Sequence, residues 1–260
     1  MSAAGGSPMR SPTGNAPSAE GGAQPGGPRW LLAAFALAGL AFVLWPQIDL
    51  AVSGWFAQGS AGFPLQADPL IGQVNKAVLQ VSRVANWLLL VLALLAWVRS
   101  ARNPLRRWRR ELAFLALAAA IGPGIVVNVL VKDHFGRARP VVSAPFGGEH
   151  RFSPAFMPAN ECEVNCSFVS GHAAGASMPA AGYFIAASRR RRRLWLAGGL
   201  ALGAAAGLLR IMVGAHYLSD VVMGIGFTWA AIALCALLLP GLQSAPRTAA
   251  YPGHRGHARQ

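Results

Sequence analysis

The stretch "LAFLALAAAIGPGIVVNVLV", residues 112–131, is a run of 20 residues without a single charge. It is bounded by Glu111 on one side and Lys132 on the other. A helix needs roughly 20 mostly apolar residues to cross the hydrocarbon core of a bilayer. The stretch therefore predicts a membrane-spanning helix.

Five other apolar runs have about this length, and they cover residues 30–48, 77–98, 172–187, 194–213 and 217–239. The chain is 54% hydrophobic and only 12% charged, which excludes an ordinary soluble domain. Arg83 lies inside the run at 77–98, and we expect its side chain to reach one membrane interface. The fold prediction is an all-α polytopic membrane protein, with six transmembrane helices in one domain over residues 30–240.

The net charge of +14 is concentrated in two short links between these runs. Arginines crowd the link after the second run and fill the link after the fourth, at positions 99, 102, 106, 107, 109, 110 and 189–193. Short loops rich in arginine mark the cytoplasmic side of a membrane protein. We therefore expect anionic headgroups, and no nucleic acid, beside these links.

Both ends of the chain are predicted to share that side. Residues 1–29 are rich in Gly, Pro, Ala and Ser and have no apolar core, which indicates a disordered tail instead of a signal peptide. Residues 241–260 form a basic tail. Six spans with both tails inside place residues 132–171 and 210–216 outside.

Three groups of chemically capable residues fall in these outer segments. The first is "KDHFGRARP", with Lys132 and Arg139. The second is "SGH", residues 170–172, and the third is "RIMVGAHYLSD", with Arg210, His216 and Asp220. Ionisable groups at membrane depth are costly, so a functional cluster is the default interpretation.

Each group suits a phosphate ester. Lys132, Arg139 and Arg210 supply three cations for a phosphate dianion. Ser170 and Gly171 stand at a predicted helix N-terminus, where backbone N–H groups attract anions, although such a pair is also an ordinary cap and turn.

His216 and Asp220 are spaced i, i+4, and on a helix they would lie on one face. A carboxylate that orients the imidazole makes His216 a candidate nucleophile, and His172 is then the candidate general acid. A structural hydrogen bond is the alternative for this pair.

The three groups together resemble the signature of the type 2 phosphatidic acid phosphatase superfamily. That signature is Lys-x6-Arg-Pro, then Pro-Ser-Gly-His, then Ser-Arg-x5-His-x3-Asp. The resemblance implies that Lys132, Arg139, Ser170, Gly171 and Arg210 bind phosphate, that His172 is the acid, and that His216 is the nucleophile with Asp220 as its partner. It also implies no cofactor and no catalytic metal.

Two positions depart from the signature. Val169 stands where Pro is usual, and Leu209 stands where Ser is usual. Neither position carries the proposed chemistry. The implied reaction is attack by His216 on a phosphomonoester or pyrophosphate, followed by hydrolysis of a phosphohistidine.

The phrase "ECEVNCSFVSGHA" is similar to the bacterial lipid A phosphatase branch of the superfamily. Cys162 and Cys166, which belong to this phrase, are predicted to form a disulfide in an oxidising periplasm or to remain as two free thiols. The expected location is the bacterial inner membrane, with the site facing the periplasm. The partners expected are a lipid phosphate and the membrane, and the oligomeric state stays open.

Other functions fit parts of the pattern. Undecaprenyl pyrophosphate, phosphatidylglycerol phosphate and phosphatidic acid also carry a phosphate at the headgroup plane. A lipid phosphate transporter or binder is the alternative outside enzymes, because Pro123 and Pro179 could break helices. Haloperoxidase chemistry would share the anion pocket, but membrane embedding argues against it.

Overall fold

A computed structural model describes residues 28–100, 102–132, 134–239 and 242. Nearly all of the predicted tails at 1–29 and 241–260 lies outside these residues, as does Asp133. The described chain is helical and contains no strand, with one isolated bridge between Ser143 and His150. The all-α prediction is confirmed.

The described part of the first half of the chain contains four α-helices. Helix α1 spans Arg29–Leu44 and is followed by α2, Gln47–Gly54, after a bend of 90°. Pro46 lies at that bend, where it cannot continue the hydrogen-bond ladder of α1. Helix α3 spans Pro69–Ala96, and α4 spans Arg109–Ala119.

The start of α3 explains why it begins earlier than the apolar run at 77–98. Asp68 accepts hydrogen bonds from the backbone N–H groups of Leu70 (2.8 Å) and Ile71 (3.0 Å), and Pro69 follows as the first helical residue. A capping carboxylate and a proline at N1 both favour a helix start. The helix thus gains two polar turns before its apolar part.

Helix α4 continues as a π-helix over Ala120–Val131. Pro123 within it lacks a backbone N–H, which favours a wider turn. The side-chain amide of Asn128 donates a hydrogen bond of 2.5 Å to the carbonyl of Pro123. The apolar stretch at 112–131 is therefore helical throughout, although not uniformly α-helical.

The second half of the bundle begins after a long loop. Helix α5 spans Gly171–Ser177, a 3-10 turn covers Met178–Ala181, and α6 spans Gly182–Ile185. Helices α7, Arg189–Met212, and α8, Leu218–Leu238, complete the bundle. Short 3-10 turns connect the other elements, at Gly59–Ala61, Pro64–Ala67, Pro104–Trp108, Pro140–Val142 and Ala144–Phe146.

Four of the described helical segments are long and apolar enough to cross a membrane, namely Pro69–Ala96, Pro104–Val131, Arg189–Met212 and Leu218–Leu238. The bent pair of α1 and α2 gives up to five. The predicted span at 172–187 is divided into α5, a 3-10 turn and α6, with Pro179 in the turn. At 1.5 Å per residue, residues 171–185 extend only about 22 Å.

Helix α8 forms the centre of the bundle. Its buried side chains include Trp229 and Ile232, which pack with Phe114 of α4 and Phe184 of α6. Helix α7 lies close to α5, because Gly203 leaves room for Ser177 and the backbone of Ala173. Helix α3 lies at the periphery, and this arrangement opens a cleft between α3 and the ends of α5, α7 and α8.

Candidate active site

One end of the bundle brings the three sequence groups together around a cavity of about 800 Å³. The π-helix ends beside Lys132, α5 begins at Gly171, α7 ends just after Arg210, and His216 lies immediately before α8. Six of the predicted site residues line the cavity: Lys132, Arg139, Gly171, His172, Arg210 and His216. Ser170 and Asp220 lie behind this wall.

The His216 imidazole is almost fully buried, with 1% of its surface exposed. Its Nδ1 is 2.7 Å from the backbone carbonyl of Ser167 and 3.6 Å from Oδ2 of Asp220. A carbonyl oxygen can only accept, so Nδ1 carries the proton and Nε2 keeps its lone pair. His216 is thereby fixed in the tautomer that a nucleophile at Nε2 requires.

The structure brings His216 and Asp220 together, but not through the helical spacing that the sequence suggested. Helix α8 begins at Leu218, so His216 precedes the helix instead of sharing one of its faces. The carbonyl of Ser167 is the closer partner of the ring, and the Asp220 carboxylate is a second partner at 3.6 Å.

Asp220 is held by three donors. It accepts hydrogen bonds from the Ser167 hydroxyl (2.5 Å), the backbone N–H of Tyr217 (2.8 Å) and Nη1 of Arg137 (2.6 Å). The carboxylate is fully buried. It therefore anchors both the segment that carries the Ser167 carbonyl and the start of α8.

Sequence reasoning missed Arg137, which is 1% exposed. Its Nη2 donates to Asp49 (2.8 Å), its Nη1 donates to Ser219 (2.8 Å) as well as to Asp220, and its Nε donates to the Ser153 carbonyl (2.8 Å). Burial by itself would lower the pKa of Arg137, but the carboxylates of Asp220 and Asp49 outweigh it and raise that pKa. The guanidinium stays charged.

Two sequence signals could have found this cluster. Arg137 stands two residues before Arg139 in the same motif, and Asp49 follows the first apolar run directly. Neither residue lines the cavity. Their common effect is to fix Asp220, and through it the support of His216.

The surroundings of His216 keep it neutral. Burial is the largest cause, and with the positive charges of Arg210 and Lys132 it lowers the pKa of His216 to about 4, although Asp220 acts in the opposite direction. A neutral imidazole at pH 7 is the form that can attack phosphorus.

The cations of the cavity are held in different ways. Arg139 donates to the carbonyl of Asn165 from Nε (3.2 Å) and Nη2 (2.7 Å), and its partial burial lowers its pKa. The Nε of Arg210 is buried and has no hydrogen-bond partner among the described residues. A buried donor of this kind in a cavity wall is available to a ligand that accepts its hydrogen bond.

The start of α5 is built as the sequence suggested. Ser170 is buried and caps the helix, with its hydroxyl 3.5 Å from the backbone N–H of Ala173. A Cβ added to Gly171 would lie 3.0 Å from Oδ1 of Asn128, so glycine permits this close approach. Direct phosphate binding by Ser170 stays a prediction, because the hydroxyl faces the helix.

His172 lies in the cavity wall next to α3. A backbone group of Asn75 is its hydrogen-bond partner. Helix α3 contributes further polar wall residues, including Lys76, Arg83 and Asn86. Arg83 was predicted to reach a membrane interface, and the structure places it at this cavity.

The loop that follows Arg139 closes back on the site. Cys162 and Cys166 form a disulfide, and the loop between them carries Asn165, the partner of Arg139. Glu161 accepts a hydrogen bond of 2.9 Å from the backbone N–H of Arg151. Among the described residues, no three His, Cys, Asp or Glu side chains are arranged to hold a metal ion.

Comparison with known proteins gives consistent matches. The family model described as PAP2 superfamily matches residues 112–243. A lipid A 4'-phosphatase of Francisella tularensis subsp. novicida is 32% identical over 182 residues, which are 70% of this chain and 81% of the relative.

Two rhizobial proteins match over shorter regions. A lipid A 4'-phosphatase of Rhizobium leguminosarum is 41% identical over 104 residues, and one of Rhizobium etli is 42% identical over 108 residues. These regions are 40% and 41% of this chain, and 44% and 41% of the respective relatives. No solved structure matches the chain significantly.

Proposed function

This chain belongs to the PAP2 superfamily, and from that premise we propose that it is a metal-independent phosphatase of a lipid A-type glycolipid. The observation that carries the proposal is the setting of His216. A buried, neutral imidazole with Nδ1 held by a carbonyl faces a cavity that also contains Lys132, Arg139 and Arg210. This combination suits phosphoryl transfer to nitrogen.

The reaction proceeds in two displacements. Nε2 of His216 attacks phosphorus, the P–O bond to the sugar breaks, and His172 gives its proton to the leaving oxygen. Water then attacks the phosphohistidine and gives a proton to His172. The P–N bond breaks, its electron pair returns to Nε2, and inorganic phosphate leaves.

The three cations supply the charge stabilisation that a metal ion supplies in other phosphatases. Arg210 offers an N–H group with no protein partner among the described residues, and Arg139 is oriented by the disulfide loop. Each charge-assisted contact that strengthens as negative charge develops on the equatorial oxygens lowers the barrier.

An apolar groove supports a lipid as the substrate. It has a volume of about 520 Å³ and runs between α3 and α7, where Leu89, Trp195 and Leu202 line it. The groove shares Ser82, Asn86 and Gly175 with the polar cavity. An acyl chain in the groove would therefore belong to the same molecule as a phosphate beside His216.

The topology proposed is six membrane crossings with both tails in the cytoplasm of a bacterial inner membrane. The crossings are α1, α3, α4 with its π-helix, the short α5–α6 segment, α7 and α8. The arginines at positions 106, 107 and 189–193 lie at the ends of helices opposite to the cavity, which supports a periplasmic site.

The test is phosphate release by purified protein in detergent from lipid A, undecaprenyl pyrophosphate, phosphatidylglycerol phosphate and phosphatidic acid, with a chelator present. We expect turnover of lipid A and a loss of about three orders of magnitude or more in His216→Ala. Turnover of another lipid in place of lipid A would show that this lipid is the substrate. Binding of lipids without any phosphate release would favour the lipid phosphate transporter or binder.

A further inference from the structure

The cavity contains more positive charge than one phosphate requires. Five cations line it, namely Lys76, Arg83, Lys132, Arg139 and Arg210, and none of its described wall residues is acidic. A phosphate monoester carries a charge of about −1.5 to −2 at neutral pH. A single reacting phosphate therefore offsets only about two of the five positive charges.

The two surplus cations stand apart from the other three. Lys132, Arg139 and Arg210 surround the histidines, whereas Lys76 and Arg83 both belong to α3. They are seven residues apart, which is about two turns, so they lie on the same face of α3 about 10 Å from each other along its axis. Helix α3 contains no Asp or Glu that could pair with either of them.

The position of Arg83 is costly unless a ligand uses it. Segment Pro69–Ala96 is one of the candidate membrane spans, and Arg83 lies within its apolar part, where a cation is expensive in hydrocarbon. Lys76 lies in the turns that precede this part. Contacts with α5 define the level of the pair: Asn75 is the hydrogen-bond partner of His172, and Ser82 is the neighbour that a Cβ on Gly175 would meet at 3.3 Å. Lys76 and Arg83 each directly follow one of these contact residues.

We propose that Lys76 and Arg83 form a subsite for a second anionic group, a phosphate or carboxylate, on the lipid whose first phosphate reacts with His216. This inference rests on the proposed phosphatase function and deepens it, because it makes a bis-anionic lipid the preferred substrate. The second group is bound and does not react, because the nucleophile His216 belongs to the link between α7 and α8 and not to α3. Lys76 and Arg83 are therefore specificity residues and not catalytic residues.

The test compares two synthetic lipids that share acyl chains and reacting 4'-phosphate. One is an acylated glucosamine disaccharide with a phosphate at each end, and the other lacks the phosphate at the end remote from the reaction. We expect wild-type kcat/KM to be about 10-fold or more higher for the bisphosphate, as charge-assisted contacts typically give. The double variant Lys76→Gln/Arg83→Gln should lose this preference, so that its kcat/KM becomes similar for the two lipids.

The kinetic parameters separate a subsite from a structural role. A group bound equally in the ground state and the transition state changes KM and leaves kcat unchanged. The KM of the double variant should therefore rise much more for the bisphosphate than for the monophosphate, with kcat unchanged. The matched control is Arg190→Gln, which removes an exposed cation at the opposite end of the bundle.

Two outcomes would overturn the subsite while leaving the phosphatase intact. One is equal wild-type kcat/KM for both lipids, and the other is an equal loss on both lipids in the double variant. Failure of the wild type to release phosphate from either lipid would instead reject the proposed function itself.

Discussion

Burial of the His216 imidazole sets its protonation state and couples that state to the stability of the fold. The side chain is 1% exposed, and its pKa is lowered to about 4 from an ordinary value of 6.5. Asp220 acts in the opposite direction, because its carboxylate, which accepts a hydrogen bond from the buried Arg137, lies 3.6 Å from the ring and raises the pKa of His216. At the scale of single residues, the site is arranged to hold a neutral nucleophile beside fixed positive charge.

This arrangement predicts a specific loss of stability in acid. The folded protein binds a proton at His216 less readily than the unfolded chain does, so its contribution falls as pH decreases from about 6.5 towards 4. Relative to His216→Asn, which retains a hydrogen-bond donor but does not titrate, the wild type should lose about 2 kcal/mol of unfolding free energy between pH 8 and pH 5. Denaturant titrations of both proteins in detergent measure the difference, and parallel pH dependence of the two would show that His216 titrates normally.

At the scale of the helices, the apolar groove between α3 and α7 supports a lipid as the substrate. Ala205 on α7 lines the groove, whereas the neighbouring Ala204 does not, and both are exposed. Ala205→Trp should fill the groove and lower kcat/KM for the long-chain lipid by about 10-fold or more, while a short-chain soluble phosphate ester is hydrolysed as before. Ala204→Trp is the matched control. Equal losses on both substrates in Ala205→Trp would show that the groove does not bind the acyl chain.

At the scale of the whole molecule, the sequence predicted the helical class and the residues that meet at one end. Runs of apolar residues predict helices directly, and arginine-rich links predict how these helices are oriented in the membrane. The buried cluster of Arg137 with Asp49 and Ser219 was not predictable in this way. It joins positions up to 170 residues apart in the chain, and no local spacing rule describes such contacts.

The apolar pattern also did not predict that the segment at 172–187 is divided into two short helices and a 3-10 turn. Composition alone does not show where a helix tightens, and Pro179 removes a backbone donor in the middle of that run. The orientation of His216 was predicted only in part, because a backbone carbonyl, which no side-chain motif reveals, is the closer partner of Nδ1.

The central claim is that phosphate is transferred to His216, and the most direct measurement is to trap that intermediate. Wild type, His216→Ala and His172→Asn would each be mixed with lipid labelled in the reacting phosphate, quenched in alkali within milliseconds to seconds, and mapped by peptide. In the wild type, we predict an acid-labile, alkali-stable label on the peptide that contains His216. The label should be absent from His216→Ala. It should increase in His172→Asn if this substitution slows water attack more than it slows transfer to His216. Rapid phosphate release with no label on this peptide in any of the three proteins, or a label that persists in His216→Ala, would contradict the account.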